Sequence, residues 1–398
     1  MATRREFLQQ LTSLSIGLPT IGFSQIPPFT MGDSPVPVVD ITDLYHPPQD
    51  FGDTFDLIFP YAVPEVSLKG ILFDVTHRYR VPYPGEGENQ LYSDPLGGRE
   101  PGVITVWQLN YLFDKAVPSA PCTFEPLASQ TDTQLTRGEF ENQGLTLLMT
   151  ILEKSSQPVE VVSFGSARPL ALAINRFPDL LRKKVSKIHL CAGSYPPGEL
   201  LEWNVKLDPE AFIRVISTDL PIIIYPCAER GNAFALGNYN TYWLMPNLEF
   251  LKDIDPRLLR FLVYSHSRSN RVDFLQVLEE EPPEDATQAL LRRAHNVWET
   301  DVWLEVSKRV LVQRADASYR IILQSEKKVS DRPVPTALVP VRLIPKDDGN
   351  FEVDFDADKK PHKIFYRRDP DEHQRAMREA IPELYKSFKS TYRKFQTK

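Results

Sequence analysis

Cysteine is scarce in this 398-residue chain: Cys122, Cys191 and Cys227 stand far apart, with no Cys-x-x-Cys pair. Three thiols allow at most one disulfide with one left over, which excludes a disulfide framework and a thiolate zinc site. Cys191 and Cys227 each end an apolar, strand-like run, so buried free thiols are the expected state. Positive charge is also short. Lys and Arg number 46 against 53 Asp and Glu, for a net charge of −7. Without a basic face, this balance argues against nucleic acid as the main partner. No run beyond the N-terminal segment is apolar for the length of a membrane span, and no repeat of solenoid period is present.

What is there reads as a soluble globular chain. Hydrophobic residues make up 42% and charged residues 25%, and the length suffices for one large or two ordinary domains. The 35 prolines, alongside plentiful aromatics, predict stiffened loops rather than disorder. The N-terminus stands apart. Arg4–Arg5 precede Phe7–Leu8, and the mildly apolar "LTSLSIGLPTIGF" ends near Ser24–Gln25. A basic start, a short apolar stretch and a small-residue exit have the layout of a secretory signal, and the paired arginines look like the twin-arginine kind. Residues 1–25 are therefore expected to direct export to the periplasm or the exterior. Residues 26–35 are expected as a linker and 36–398 as a single α/β domain.

From Val36 onward, strand-like and helix-like stretches alternate. "VPVVDI", "SLKGILFDVT", "VEVVSF", "VSKIHLCAG" and "LPIIIYPC" read as strands. "FDLIFPYAVPEV", "GEFENQGLTLLMTILEKSSQ", "ARPLALAINRFPDLLRKK" and "DPEAFIRVIST" read as helices between them. Near-continuous apolar strands alternating with helices predict an open, mostly parallel, Rossmann-like sheet covered on both faces. After Trp243 helices dominate, with strand-like "SYRIILQ" and "ALVPVRLIP" before a polar insertion. The closing helix "DEHQRAMREAIPELYKSFKSTYRKF" carries a basic tail, read as a solvated face.

In such a sheet, ligands bind beyond the carboxyl ends of the strands. Four polar stretches fall near such ends: "VVDITDLYHPPQDFGDTFDLI", "SFGSARP", "AGSYPPGELLEWNVKLDPEA" and "HNVWETD". Asp43, Asp50 and Asp53 supply carboxylates on one strand-exit loop, and oxygen-rich clusters favour hard cations such as calcium or magnesium. Asp40 and Asp56 are read as structural, one at the strand end and one inside the following helix. Glu202 and Asn204, at i and i+2, would point the same way in extended backbone and suit neighbouring sugar hydroxyls. Asp208 before Pro209 reads as a helix N-cap.

The stretch "VVDITDLY…GDTFDLIFPYAVPEVSLKGILFDVT" resembles the N-terminal signature of the inosine–uridine-preferring nucleoside hydrolases. "VEVVSFGSARPLALAINRFPDLLRKKVSKIHLCAGSY" is similar to that family's strand, glycine loop, helix and strand, and "LLEWNVKLDPEAFIRVISTDLPIII" to its Glu-aromatic-Asn and Asp-Pro-Glu-Ala block. The likeness covers roughly residues 36–226. It implies hydrolysis of an N-glycosidic bond with a bound calcium ion (Ca2+) that orders the ribose hydroxyls and a nucleophilic water. Carried onto this chain, it makes Asp43 a metal ligand and the general base. Asp53, with Asp50, would be a further carboxylate ligand, and Phe164 would give a backbone carbonyl. Glu299, with Asp301 as its rival, would be the late acidic ligand. Glu202 and Asn204 would hold the ribose, with His77 and Trp298 as further substrate contacts.

The chain departs from the family pattern in four places. Its first loop is longer, with Gly52 where the first of two paired aspartates belongs. His77 stands in an asparagine's slot. Trp298 replaces the histidine that in some members protonates the leaving base, and His295 is its neighbour in sequence. "SARP" lacks the usual Thr-Asn. Three functions follow as expectations: a calcium-dependent nucleoside hydrolase, an altered relative that binds a nucleoside or sugar without turnover, and a glycosidase using two facing carboxylates without metal. The partners expected are a small nucleoside or sugar, with a homo-oligomer as an open option.

Overall fold

The apolar run from Val36 forms strand β1 (Val36–Thr42), buried over six of its seven residues. The computed structural model describes residues 34–48, 50–80 and 99–391. The expected signal segment (1–25) and residues 26–33 of the expected linker lie outside the described residues. Residues 35–398 cluster as one unit.

After β1 come α1 (Phe51–Asp56), α2 (Ile58–Ala62) and β2 (Val66–Phe73). Next are α3 (Val103–Phe113), β3 (Ser119–Pro121), α4 (Glu139–Lys154) and β4 (Val159–Ser163). Helices α5 (Arg168–Arg176) and α6 (Pro178–Lys184) lead to β5 (Val185–Cys191). Then α7 (Trp203–Leu207), α8 (Pro209–Ile216) and β6 (Ile222–Tyr225) follow. The later part holds β7 (Trp243–Met245), α9 (Pro256–His266), α10 (Glu284–Arg292), β8 (His295–Val297) and α11 (Thr300–Val306). A hairpin of β9 (Arg309–Gln313) and β10 (Tyr319–Leu323) precedes β11 (Thr336–Pro345), β12 (Phe351–Asp354), β13 (His362–Arg367) and the final helix α12 (Pro370–Ser387).

The central sheet has nine strands in the order β12-β11-β13-β6-β5-β4-β1-β2-β3. Pairings from β3 through β13 are parallel, and β11 and β12 add antiparallel ladders at one edge. This is the expected α/β class. Both faces are covered: Val38, Ile71, Phe73 and Val162 point into one apolar core, and Val39, Ile41, Leu72 and Val161 into the other. Alternate side chains thus fill two cores, so the strands read as continuous apolar runs rather than alternating ones.

Asp-Pro pairs start three helices. Asp208, Asp255 and Asp369 each accept a backbone N–H of the first turn, with proline as the first helical residue. The carboxylate satisfies an orphan donor, and proline loses nothing by lacking its own.

Two local expectations are corrected. The helix expected over "FDLIFPYAVPEV" starts four residues earlier, where Asp50 caps the Gly52 N–H at 2.8 Å, and it is split into α1 and α2. Pro60 has no N–H for the Asp56 carbonyl, and the segments part just there. The polar insertion after β11 forms β12 and β13, and β13 joins the main sheet beside β6.

Chain order reverses at β1, which sits between β2 and β4. Connections leave in opposite directions from that point, and a crevice opens at the carboxyl ends of β1 and β4. Behind it lies Arg168, fully buried. Its Nη2 meets Asp74 Oδ1 at 3.1 Å and Thr76 Oγ1 at 2.9 Å, after β2, and its Nε lies 3.9 Å from Asp208 Oδ2. The other Asp74 oxygen accepts the Ser166 N–H and hydroxyl at 2.6 and 2.7 Å. A Cβ on Gly165 would meet that oxygen at 2.5 Å, so the approach needs glycine. Replacing Arg168 by Met leaves two buried carboxylates unpaired, and the unfolding free energy in urea is expected to drop by about 3–5 kcal/mol. A loss under about 1 kcal/mol would show the pair to be dispensable.

Candidate functional site

The crevice widens into a cavity of about 620 Å3 lined by the exits of β1, β4, β5 and β6, by α1 and by the β8–α11 turn. Six carboxyls line it: Asp43, Asp50, Asp53, Asp56, Glu202 and Glu299. Asp43 follows β1, and Asp53 and Asp56 lie one turn apart on α1. Glu299 occupies the N-cap position of α11 without making a cap bond. Phe164, at the exit of β4, lines the same wall.

Burial first, and then crowding, raises the proton affinity of Asp43, Asp53, Asp56 and Glu299. Desolvation pushes Asp43 up to about 8, and the charges of Asp74 and Asp50 add to it. Asp53 and Glu299 are held well above the ordinary range by burial, then by their acidic neighbours, and Asp56 by burial and Asp50. Behind them Asp40 is raised to about 8 by burial, and its Oδ1 has no hydrogen-bond partner.

Glu202 and Asn204 reach the cavity differently from the extended pair expected. Helix α7 begins between them. The Glu202 carboxylate caps it, accepting the Asn204 N–H at 3.0 Å and the Gly193 N–H at 2.8 Å. Burial still lifts its carboxyl to about 7 against those N–H donors. The Asn204 amide donates to the carbonyls of Phe164 and Cys191 at 3.1 and 2.8 Å, cross-linking two strand exits.

Two expected site residues stand elsewhere. Asp301 lies in the first turn of α11, buried, with Oδ1 3.1 Å from His373 Nε2. Two helical positions from Glu299, it faces another side, so Glu299 is the acidic residue at the cavity. His77 sits on a one-turn helix and is not among the lining residues. His295, Trp298's neighbour, is sealed away. It is 1% exposed, with the Phe55 and Phe51 rings 4.8 and 5.5 Å from its own.

Asp56, read from the sequence as structural, lines the cavity as well; its signal was its place three residues after Asp53, on the same helix face. Trp203, at the start of α7, and Asn296, in β8, lie within motifs read from the sequence but were not singled out. Ala233 and Phe234 carried no signal, since they come from an irregular segment. Trp298 lies 5.7 Å from Phe234 and 5.2 Å from Tyr242, ring centre to ring centre. Cys191 ends β5 and Cys227 follows β6 by two residues; both are buried free thiols at the cavity wall, and the Cys227 thiol donates to the Tyr225 carbonyl at 3.5 Å.

Among the described residues no three His, Cys, Asp or Glu side chains close on one point at metal-ligand spacing. The donor set nevertheless fits a hard cation in kind. Its acidic donors are all carboxylate oxygens, the two thiols in the wall are buried, and among the described residues no Lys or Arg lines the cavity to offset the charge.

No protein-family model matches the chain. The pyrimidine-specific ribonucleoside hydrolase RihA of Enterobacter sp. (strain 638) is 35% identical over 91 residues, 21% of this chain and 29% of that protein. RihA of Salmonella schwarzengrund is 33% identical over 81 residues, 20% and 26% respectively. The match thus spans under a third of these relatives' length. Among solved structures, a plant nucleoside hydrolase superposes with a TM-score of 0.50 at 14% identity, covering 87% of this chain and 98% of the other. The purine-preferring ribonucleoside hydrolase from Gardnerella vaginalis gives 0.50 and 14%, covering 88% and 99%. The fold is that of the nucleoside hydrolases.

The raised carboxyls set the pH dependence of stability. They hold protons in the folded state where the unfolded chain has released them. Folding is therefore favoured at low pH, and stability falls as pH climbs from about 4 towards about 8. In chelator, the unfolding free energy is expected to drop by at least ~1.4 kcal/mol from about pH 5 to about pH 8, the equivalent of one group shifted by one unit. Calcium should restore most of it at the higher pH. A flat profile in chelator, or no response to calcium, would contradict mutual repulsion in this wall.

Proposed function

We propose that the chain hydrolyses the N-glycosidic bond of a nucleoside or related N-riboside, with calcium as cofactor. The observation that carries this reading is the carboxylate-lined cavity at the strand-order reversal of a nucleoside hydrolase fold. Support comes also from relatives whose names give ribonucleoside hydrolysis, one pyrimidine-specific and one purine-preferring.

In this reading Asp43, Asp53, Glu299 and the Phe164 carbonyl would hold the calcium ion, with Asp50 and Asp56 completing the acidic wall. Bound there, the ion would polarise a water and neighbouring ribose hydroxyls. The chain's own groups do the rest. Asp43 takes the proton of the attacking water; a positioned base contributes typically about 10²–10⁴-fold. The remaining carboxylates face the sugar, where positive charge develops at C1′ and O4′, and they stabilise it without reorganising. The cap on Glu202 and the amide bonds of Asn204 hold that side of the wall rigid. Burial of Asp56, Cys191 and Cys227 keeps the inner end dry.

Residues 1–25 support export before the enzyme acts, so the proposed setting is the periplasm or the exterior, with residues 36–398 as one domain. A second reading, binding without turnover, is favoured by the spent polar groups of Glu202 and Asn204. Release of ribose and free base from a panel of nucleosides separates the two. Asp43→Asn is expected to lower kcat at least about 100-fold with KM little changed. Chelator should abolish turnover and calcium restore it. Tight nucleoside binding with no ribose release from the unaltered protein would leave the binding reading alone.

A further inference from the structure

The cavity combines two surfaces attractive to a cation with none that would repel one. Its lining carries six carboxyls and, among the described residues, no Lys, Arg or His. A divalent ion bound there would favour their ionised forms and offset only two of the charges. Of the guanidiniums packed behind the wall, Arg168 is engaged with Asp74, and Arg293, over the Phe51 ring at 4.9 Å, feels only Asp50 among the six. On the other side the wall is aromatic. Trp203 and Phe234 are 40% and 59% exposed, and Trp298 packs on Phe234. The Trp298 indole N–H is already donated to the Ala233 carbonyl at 3.2 Å, so what Trp298 offers a ligand is a ring face. Such faces carry the negative end of the ring quadrupole and bind cations. Two of them are chain neighbours of carboxylates: Trp203 follows Glu202, and Trp298 precedes Glu299.

The same lining is poor in acids for the leaving group. A neutral heterocycle departs as an anion unless it is protonated, and an acidic wall repels an anion. His295 is sealed beneath two phenylalanines, and His77 does not line the cavity. Trp203, Ala233, Phe234, Asn296 and Trp298 include no ionisable side chain.

We propose that the preferred substrates are cationic N-ribosides, whose ring nitrogen bonded to C1′ already carries the positive charge. The inference rests on the N-glycosidase reading and narrows it. The C1′–N bond breaks and its electron pair stays on the ring nitrogen, cancelling the charge, so the heterocycle leaves neutral and takes up no proton. The oxygen of water bonds to C1′, and its proton passes to Asp43 and on to solvent. Cation and water thus give ribose, a neutral heterocycle and one proton.

The test compares kcat/KM within two pairs of similar size and different charge: nicotinamide riboside against its dihydro form, and 7-methylguanosine against guanosine. Each value is divided by the uncatalysed hydrolysis rate of the same compound. The cation is expected to lead at least tenfold in both pairs, with the lead shrinking at high ionic strength. Phe234→Leu and Trp298→Leu, checked for folding by their unfolding midpoints, should raise KM for the cations about 2- to 30-fold, the worth of a cation–π contact, and KM for neutral substrates less. Equal or better use of the neutral member in either pair overturns the proposal while N-glycoside hydrolysis stands. So do variants that weaken cation and neutral equally. No ribose from either cation overturns the proposal, and no ribose from the whole nucleoside panel overturns the N-glycosidase reading with it.

Discussion

A single buried guanidinium underlies the architecture of the site. Arg168 has no exposure to solvent, and an ion there is tolerated only when its partners are in place. Those partners arrive from three directions: Asp74 and Thr76 after β2, Ser166 from the turn after β4, and Asp208 at the head of α8. Pairing them pins the carboxyl ends of the strands against one another. Asp43 and Phe164 leave from the neighbouring exits, so their separation is inherited from this pairing. The Gly165 turn and the left-handed Ala167 (φ 61°) are the backbone adjustments that let Ser166 reach Asp74.

On the other side of that pin, charge accumulates without compensation. Among the described residues no lysine or arginine lines the cavity with its carboxyls, and only Asp50 feels a guanidinium, that of Arg293, whereas Asp74 and Asp208 share Arg168. The deeper pair is built for cohesion, and in the proposed reading the outer set is the reactive one. Mutual repulsion costs folding free energy, and the same field favours a cation and a sugar carbon that turns positive. Stability lost at the wall is offset by the two apolar cores that the sheet separates, where strands from β1 to β6 are buried on both faces.

The regular parts of the fold were legible because their physics is local. Apolar runs of four to eight residues, Asp-Pro caps and helical spacing mark β1, β2, β4, β5 and β6 and most of the helices between them without reference to the rest of the chain. Asp43, Asp50 and Asp53 were legible for the same reason: they follow a buried strand closely. Residues whose place depends on partners far along the chain were less so. Asp301 and Glu299 differ by two positions, and only the packing of α12, which brings His373 to Asp301, tells them apart. His295 stands beside the cavity in sequence and is removed from it in space by Phe51 and Phe55. Phe234 lies in a stretch without periodicity, and the β12–β13 extension of the sheet was hidden in a polar segment.

The amino-acid order alone thus determined the alternation of strands and helices, the parallel sheet with two covered faces and the acidic exit of the first strand, since nearest-neighbour sterics, capping and hydrophobic period are enough to specify them. Tertiary structure decided which carboxylates share a wall and which are spent on a partner. It also decided which aromatics meet at the mouth, and that Glu202 caps a helix instead of standing in an extended pair. Most of those choices turn on distances between segments dozens of residues apart, such as Asp301 and His373 or Phe234 and Trp298, and such distances are set by the packing of the cores, not by any property of the segments taken singly.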